Sequence, residues 1–485
     1  MRALRRIASF LFLAALLLTA NAQRIKPVQQ APGVLDLSAL RGGGYSELTC
    51  LWDFWPNEFV DPDKAALGKA PMEASVTAHW NQLGIAQLVS TGYATYHLHI
   101  TGLPAKRTLG LKVTCPLIAV RVFANGAEIL AMGRPSTSAG TETPRWDSVV
   151  VSLNPDADGV LDLVLYVSNY IDFSGGFARP ILLGDYGAVW AVRTSLVTLE
   201  MFELGALAVI GFYLILLCAF RPTEKYALYF GILALVLSFR TLCYDEFVLL
   251  TLVPDLSFSF LFRAGYLTFA LPFGLIAGFF RRLFPAQMHR PVYLAISALS
   301  AAFALFIVFA PLASVSWTLY PMEIAAMVFL AYAVPMLARA IAAKVPGSSL
   351  VLLGLLMFAI SMVNDILVTN GTWKGEYLTP FGLILFFLTL AFMITRNSAQ
   401  ALKGREVVYV QTARERLSLA EKGLTTTEIV YATELLSGRS VKEIAFSHDV
   451  SESTVRNSLA RIYGKVGVGS MAAFTSLGSR YDVMP

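Results

Sequence analysis

The sequence has few charged residues and few cysteines. Only 15% of its 485 residues are charged, whereas 56% are hydrophobic and the mean hydropathy is +0.61. This balance is typical of a membrane protein. Four cysteines are too few for a disulfide scaffold, and their spacing does not suggest a metal site. Cys50 and Cys115 either form one disulfide or remain two buried thiols.

The sequence also lacks the motifs of a signalling enzyme. It contains no recognisable Gly-rich ATP-binding motif, cyclase motif or nucleophile constellation, and no receiver domain precedes the C-terminal helices. We therefore expect no catalytic residues, no metal and no cofactor. The formal net charge of +5 is small and does not by itself indicate nucleic acid.

Residues 1–22 have the features of a secretory signal peptide. Three arginines open the segment, residues 7–18 are apolar, and residues 20–22 (Ala-Asn-Ala) match an A-x-A cleavage site. The apolar run is short for a membrane span, so we expect cleavage and a mature N-terminus outside the cytoplasm.

Seven apolar segments follow one another between residues 201 and 395. Each has about the 20 residues needed to cross the hydrocarbon core of a bilayer. They are Met201–Phe220, Tyr226–Cys243, Phe258–Phe280, Val292–Ala310, Trp317–Ala338, Ser349–Val368 and Tyr377–Thr395. An odd number of spans places the two flanking regions on opposite sides of the membrane.

The charges in the loops indicate the orientation. Every second loop is basic, and the remaining loops are acidic apart from Lys374. Because cytoplasmic loops carry an excess of Lys and Arg, this pattern predicts an extracytoplasmic N-terminus and a cytoplasmic C-terminus in a bacterial inner membrane. The basic residues are Arg221, Lys225, Arg281, Arg282, Arg290, Arg339, Lys344 and Arg396, and the acidic ones are Asp245, Glu246, Asp255 and Glu376.

Five ionisable residues fall inside the predicted spans, toward their outer ends. Such residues are costly in a bilayer and often functional. They either form one polar cluster beneath the outer domain or lie independently at the level of the lipid headgroups. They are Glu203, Arg240, Arg263, Glu323 and Asp365.

Between the signal peptide and residue 190 the hydrophobic period is two. Short alternating runs, such as those ending at Ile100 and Val113, predict β-strands, and Asn125-Gly126 predicts a tight hairpin turn. Many short strands without a helical period indicate an all-β sandwich. Tryptophans are concentrated in this region, where they either fill the core or stack on a sugar ring.

Several short motifs in this region occur in a fixed order. They are residues 51–55, 61–62, 93–96, 122–126, 168–169 and 175–177, followed by Pro180 and Gly184. In this order they resemble the extracellular domain of bacterial seven-transmembrane receptors with diverse intracellular signalling modules. The resemblance continues through the seven spans and implies that the sandwich is a jelly-roll, carbohydrate-binding-like sensor. The candidate ligand-binding residues are Trp52, Trp55, Trp80 and Trp146.

The last sixty residues contain start and stop signals of short helices. Residues 425–428 and 440–443 match capping boxes, Ser451 begins a third helix, and Gly438 and Gly467 stand where helices end. The third helix has an apolar face and an opposite polar face, as a helix-turn-helix that enters the major groove requires.

The spacing in this region resembles a LuxR-type DNA-binding domain. The matching positions are 424–425, 428, 438, 440, 442–445, 451, 454–455, 462, 465 and 467–468, and departures occur at Thr427, His448, Ser458 and Met471. The resemblance implies a phosphate contact at Thr454 and base contacts at Arg456, Asn457 and Ala460. Arg461 and Lys465 complete the predicted interface, with Lys465 on phosphate. Residues 424–485 hold six cations and six anions, so we expect weak non-specific DNA affinity.

The sequence thus predicts a multidomain membrane protein. Its parts are a signal peptide (1–22), an outer β-sandwich sensor (23–190), a seven-helix transmembrane bundle (200–395), a juxtamembrane connector (396–423) and a helix-turn-helix domain (424–485). We expect a membrane-bound receptor and transcription regulator whose partners are the bilayer, an outer ligand such as a saccharide, and DNA, bound as a homodimer. The alternatives are a transporter or channel with appended domains, and a receptor whose terminal domain recruits a protein.

Overall fold

The computed structural model describes residues 23–67, 70, 72–85, 88, 90–115, 119–173, 175–177, 179–221, 224–369, 378–395 and 423–478. The predicted signal peptide, and the predicted connector apart from Gly423, lie outside the described residues. The chain divides into two compact units, residues 1–393 and 394–485.

The first unit begins with a β-sandwich. Among the described residues, one sheet has five strands, in the order β1-β4-β13-β8-β11, and the other has eight. The larger sheet runs β10-β9-β12-β7-β3-β2, with β5 paired to β7 and β6 paired to β5. The strands are β1 Arg24–Ile25, β2 Val28–Ala31, β3 Val34–Asp36, β4 Tyr45–Glu47, β5 Leu51–Pro56, β6 Met72–Ser75, β7 Gly92–Thr101, β8 Leu109–Cys115, β9 Ala119–Ala124, β10 Ala127–Met132, β11 Asp147–Leu153, β12 Leu161–Asn169 and β13 Leu182–Asp185.

One hydrophobic core lies between the two sheets. Leu111 and Val113 of β8 contribute to it from the smaller sheet, and Leu98 and Leu165 contribute from the larger one. These are the alternate positions that the sequence predicts to face inward. The turn between β9 and β10 has φ values of 48° at Asn125 and 80° at Gly126, as a type I′ turn requires. The predicted all-β sandwich is confirmed.

The four candidate ligand-binding tryptophans are buried. Trp52 and Trp80 are 0% exposed in the main core, Trp146 is 1% exposed, and Trp55 packs with Phe123 in a smaller cluster. A ring enclosed by protein has no free face to stack on a sugar, so this conformation favours the other interpretation of the sequence, in which these side chains pack the core. Ligand binding by them stays a prediction.

Of the two cysteines that could form a disulfide in this domain, the structure describes the side chain of one. Cys50 is a buried free thiol, and burial raises its pKa to about 11. The side chain of Cys115 lies outside the described residues. A short helix, α1 Pro62–Leu67, follows β5.

Nine helices follow the sandwich in the described part of the first unit. Six helical segments are long and apolar enough to cross a membrane, and the shorter apolar helix α10 lies where the seventh span is predicted. Side chains such as Val209, Phe212 and Phe309 are exposed on them, as contact with lipid requires. The helices are α2 Tyr186–Phe220, α3 Lys225–Cys243, α4 Val248–Leu252, α5 Phe258–Leu283, α6 Arg290–Phe309, α7 Leu312–Ser316, α8 Leu319–Ala342, α9 Ser348–Thr369 and α10 Thr379–Thr395.

Helix α2 starts directly after the last strand of the sandwich. It is 35 residues long and begins at Tyr186, well before the predicted span at Met201. Its first turns pack on the outer surface of the smaller sheet, where Val189 contacts the cluster of Val150 and Leu182. A Cβ on Gly110 of β8 would lie 3.1 Å from Tyr186 Cα. The glycine therefore permits close contact between strand and helix.

The second unit contains four short helices around one apolar core. They are α11 Thr426–Leu436, α12 Val441–Ser447, α13 Glu452–Val466 and α14 Met471–Gly478. Both predicted capping boxes are present, since Thr425 Oγ1 accepts from Glu428 N at 3.4 Å and Ser440 Oγ accepts from Glu443 N at 3.3 Å. Gly438 and Gly467 adopt positive φ at helix ends, and the predicted helical fold is confirmed.

Candidate functional site

A buried ion pair connects the sandwich to the membrane helices. Lys112 lies on the outward-facing side of β8, and its Nζ is 2.7 Å from Oε1 of Glu246 in the turn between α3 and α4. Their side chains are only 7% and 2% exposed. Burial lowers the pKa of Lys112, and the Glu246 carboxylate partly opposes that shift. Two charges withdrawn from water in this way are stable only together.

Glu246 is held by every element around it. Ser148 of β11 donates its hydroxyl to Oε2 at 2.8 Å, and Arg193 of α2 approaches the same oxygen at 3.6 Å. The backbone N–H of Glu246 donates to Oε1 of Glu200, also in α2, at 3.0 Å. The smaller sheet, α2 and the α3–α4 turn therefore meet at one carboxylate. We call Lys112, Ser148, Arg193, Glu200 and Glu246 the junction cluster.

The turn that carries Glu246 has unusual backbone geometry. Asp245 and Phe247, on either side of it, have φ values of 63° and 52°. A non-glycine residue adopts this left-handed region at a cost, and such residues persist where surrounding contacts impose them. Here the junction cluster supplies those contacts, and Asp245 forms a further ion pair with Arg179 of the outer domain.

One apolar contact and one hydrogen bond extend the junction to other helices. Trp146, which precedes β11, packs against Phe247, Phe258 and Phe262, with ring centroids 5.6–5.8 Å apart. Ser316 of α7 donates its hydroxyl to the carbonyl of Ile171 at 2.9 Å. The outer domain thus contacts α2, the α3–α4 turn, α5 and α7.

The five ionisable residues in the spans do not form one ion-paired cluster in the described structure. Arg240 donates to the carbonyl of Gly265 and lies over the ring of Tyr244 at 4.3 Å. Arg263 donates to carbonyls at the end of α6, including that of Ala310 at 2.9 Å. The carbonyls at a helix end lack partners of their own, so they satisfy the guanidinium without any carboxylate.

Asp365 has an equivalent role at the start of the last span. Its carboxylate accepts hydrogen bonds from the N–H groups of Leu378 and Thr379 at 2.6 and 2.9 Å. It thereby caps α10, whose first N–H groups have no intrahelical acceptor. Glu203 is buried and Glu323 is exposed, and neither forms an ion pair within the described residues. Backbone groups at helix ends thus satisfy Arg263 and Asp365 without an ion pair.

The candidate DNA-contacting residues lie on one exposed face of α13. Thr454, Arg456, Asn457, Ala460 and Arg461 are all exposed, whereas Val455, Leu459 and Ile462 are buried. Arg456 is only loosely paired, since its Nη2 is 3.5 Å from Glu452 in the preceding turn. This face is free to contact a groove.

Lys465 is engaged differently. Its Nζ donates to Oε2 of Glu428 at 2.7 Å and to the carbonyl of Gly423 at 2.8 Å. Hydrogen bonds from Lys465 and then from Thr425 lower the pKa of Glu428 to about 2. This geometry gives Lys465 a structural role, tying α13 to the start of α11, and does not support the predicted phosphate contact.

A second polar group on the outer domain was not predicted. His97 of β7 lies between two carboxylates, with Nδ1 3.3 Å from Asp53 and Nε2 2.9 Å from Asp162. His99 Nδ1 is 2.9 Å from the same oxygen of Asp162. Burial alone would raise the pKa of Asp162, but the two histidines lower it overall. The strand alternation that places Leu98 in the core places these histidines on the opposite face.

The fold is that of a multi-pass membrane protein with a β-sandwich and a C-terminal unit of short helices. Residues 197–397 match the family described as 7TM diverse intracellular signalling, and residues 413–477 match the bacterial regulatory proteins of the luxR family. The chain therefore combines a seven-transmembrane region of the diverse intracellular signalling type with a LuxR-type region. No curated protein matches it.

Solved structures similar to this chain include two glycosidases. One is a GH2 β-galacturonidase from Eisenbergiella tayi bound to galacturonate, with 17% identity, a TM-score of 0.23, and coverage of 30% of this chain and 24% of that one. The other is a β-glucuronidase from Ruminococcus gnavus, with 14% identity, a TM-score of 0.22 and 29% coverage of each chain. The chain spans less than a third of either enzyme's length, so their activities are not transferred to it.

Proposed function

We propose that the protein is a one-component transcription regulator of the bacterial inner membrane, with its sandwich outside and its LuxR-type domain in the cytoplasm. A ligand outside controls DNA binding inside, and the chain has no catalytic activity of its own. The observation that carries this proposal is the junction cluster. A buried Lys112–Glu246 pair that joins the outer sheet to two membrane helices is a direct route for a change in one to reach the other.

The coupling requires two arrangements of the junction. A ligand can shift an equilibrium only by its difference in affinity for the two states. The positive-φ residues Asp245 and Phe247 favour a second arrangement of the turn, because release of Glu246 from Lys112 lets the backbone relax. The loops of the sandwich then move relative to α2 and α3, and the cytoplasmic domains are presented differently.

DNA is bound by a homodimer on this proposal. One helix-turn-helix covers a single half-site, and the balanced charge of residues 424–485 leaves little non-specific affinity. Arg456 suits guanine O6 and N7, Asn457 suits adenine N6 and N7, and Ala460 is small enough to meet a thymine methyl. Thr454 and Arg461 flank these positions and contact the phosphate backbone of the DNA.

The outer ligand is a saccharide or a similar polyhydroxyl compound. The buried tryptophans do not support this assignment. The polar group around His97 in β7 does support it. Asp53, His99 and Asp162 present partly exposed acceptors and donors on one face of the larger sheet, and such groups bond hydroxyls in pairs. His97 behind them fixes both carboxylates.

Chromatin immunoprecipitation of the full-length protein tests the proposal. The native chain should enrich specific promoters, Arg456→Ala should lose them, and Glu246→Gln should alter their dependence on the outer ligand without changing the sites. Glycan-array binding with Asp162→Asn as the matched variant tests the ligand class separately. If the native chain enriches no DNA while the luxR-type domain captures a protein, the regulator proposal is rejected in favour of a protein-recruiting receptor.

A further inference from the structure

Glu200 is a buried carboxyl group in the junction cluster. It lies in α2, directly before the predicted span that begins at Met201, and it is 8% exposed. Its Oε1 accepts from the backbone N–H of Glu246 at 3.0 Å, whereas its Oε2 is buried and has no hydrogen-bond partner among the described residues. The carboxyl group is therefore directed at the α3–α4 turn, and one of its two oxygens is unsatisfied.

The cations of the junction are paired with other carboxylates. They contact the acidic turn between α3 and α4, and in the part of the chain that the structure describes Glu200 forms no ion pair with any of them. The pairs are Lys112 and Arg193 with Glu246, and Arg179 with Asp245. Glu200 therefore contacts a turn that carries two carboxylates and has no cation of its own.

The other charged groups around this part of α2 do not neutralise Glu200. Glu203 lies one turn further along the helix and is another buried carboxyl group. Arg240 of α3 donates to the carbonyl of Gly265 and lies over the ring of Tyr244, so its guanidinium is engaged toward α5. The surroundings of Glu200 thus contain like charges and cations that have other partners.

An ionised carboxylate is unfavourable in this position. Burial disfavours the charged form, and neighbouring carboxylates disfavour it further. The N–H of Glu246 favours ionisation, but one neutral donor does not replace the hydration that a buried charge loses. Protonation of Glu200 removes the charge and leaves Oε1 able to accept from Glu246.

We propose that Glu200 binds a proton when the junction is docked, which makes the junction sensitive to the pH outside the cytoplasm. When the turn is released, Glu200 meets water and titrates as an ordinary carboxyl group. The docked arrangement then holds one proton more than the open one. By linkage it is most stable at acidic pH and loses stability as the pH rises, until Glu200 is ionised in the docked state as well.

This inference goes beyond the proposed function, because it names a second signal that acts on the junction. It rests on the same docked and open arrangements as that function, but it requires neither the outer ligand nor DNA binding.

Infrared spectroscopy and hydrogen exchange on the full-length protein in lipid nanodiscs test the proposal. A protonated carboxyl group has a C=O stretching band separate from the bands of a carboxylate. The spectrum of the native chain minus that of Glu200→Gln should contain this band at neutral pH. Exchange of peptides covering residues 244–248, expressed relative to the intrinsic exchange rate at each pH, should show protection that falls between about pH 5 and about pH 8, by at most about tenfold per pH unit for one proton.

One variant and one control assign the response to Glu200. Glu200→Gln keeps the size and the acceptor of the protonated side chain but does not ionise, so it should keep the turn protected at every pH and abolish the pH dependence. Glu73→Gln makes the same change at an exposed position of β6 and should leave the pH dependence as in the native chain.

The proposal is overturned if the native chain has no protonated carboxyl band at neutral pH, a result that depends on no variant. It is also overturned if the band or the pH dependence persists unchanged in Glu200→Gln, because another group would then bind the proton. Neither measurement involves DNA. Loss of promoter binding with an intact pH response would therefore reject the regulator function and leave the proton site in place.

Discussion

The ion pair between Lys112 and Glu246 allows a quantitative test of coupling between the outer domain and the helices. Lys112→Met removes the ammonium while keeping a straight side chain, and it leaves the 2%-exposed Glu246 carboxylate with the Ser148 hydroxyl and a guanidinium 3.6 Å away. Glu246→Gln makes the reciprocal change. In each single variant one buried charge loses its main partner.

Removing one member of a buried ion pair costs about 3–5 kcal/mol. If this cost falls on the docked junction, the equilibrium between docked and open arrangements shifts by roughly two to three and a half orders of magnitude. The double variant Lys112→Met/Glu246→Gln removes both charges of the pair, and neutral replacements of whole pairs are often tolerated. We expect it to recover at least half of the loss.

Hydrogen exchange measured by mass spectrometry on the full-length protein reports this opening, because the Glu246 N–H is bonded to Glu200 in the docked state. Peptides covering residues 244–248 and β8 should exchange faster in each single variant. The exposed pair Arg24–Glu47, with side chains 57% and 20% exposed, is the control, and Arg24→Met should cost no more than about 1 kcal/mol. Single-variant effects below that level, or additive effects in the double variant, would refute the reasoning.

Three further predictions concern the remaining parts of the chain. The pKa of the Glu428 carboxylate is lowered from 4.5 to about 2, so this group stabilises the C-terminal unit fully above about pH 4.5 and progressively less as the pH falls toward 2. Hydrogen exchange of that unit should become faster over this pH range, and Glu428→Gln should abolish the pH dependence. Arg456→Ala should cost roughly 1–3 kcal/mol on the cognate site and relax preference at one base pair in a selection assay, and unchanged site enrichment would mean that Arg456 does not contact bases. Alkaline phosphatase should be active when fused after Leu182 and inactive after Lys403, and the reverse pattern would contradict the proposed orientation.

Much of the fold follows from local patterns in the sequence. The turn at Asn125-Gly126, the inward face of β8 and the caps at Thr425 and Ser440 each depend on residues close together in the chain. Their geometry is dictated by backbone and packing constraints that act over a few residues. The apolar length of the spans is likewise a local property.

The site depends on contacts between distant residues, which local patterns do not specify. Lys112 and Glu246 are 134 positions apart in sequence, and only the assembled sheet and helices bring them together. The sequence contains one signal for this contact, because the polar outward face of β8 and β11 is complementary to the acidic turn at residues 245–246. The partners of Arg263 and Asp365 could not be identified from the sequence for a related reason. Their partners are backbone groups at helix ends, which the identity of a side chain does not reveal.

The role of the tryptophans also depends on contacts that local sequence patterns do not specify. A tryptophan-rich sandwich is compatible with both a packed core and a sugar-binding surface, and composition does not distinguish them. The indole of Trp80, in the segment between β6 and β7, donates to the hydroxyl of Tyr96 in β7, and this contact identifies Trp80 as a packing residue. Lys465 was likewise matched by position, and its bond to Glu428 became visible only with α11 and α13 packed together.

The uninterrupted passage from β13 into the 35-residue helix α2 restricts how this protein can change in length. Each residue added to the stem of an α-helix advances it by about 1.5 Å and turns everything beyond it by about 100°. A single residue inserted after Val192 would therefore rotate the outer domain away from the turn at Glu246. Seven inserted residues, which make two turns, would return the outer domain to its original orientation to within about 20°. Those seven residues would also lengthen the stem by about 10 Å and carry Lys112 out of reach of Glu246, so the stem fixes both the angle and the distance between the two domains.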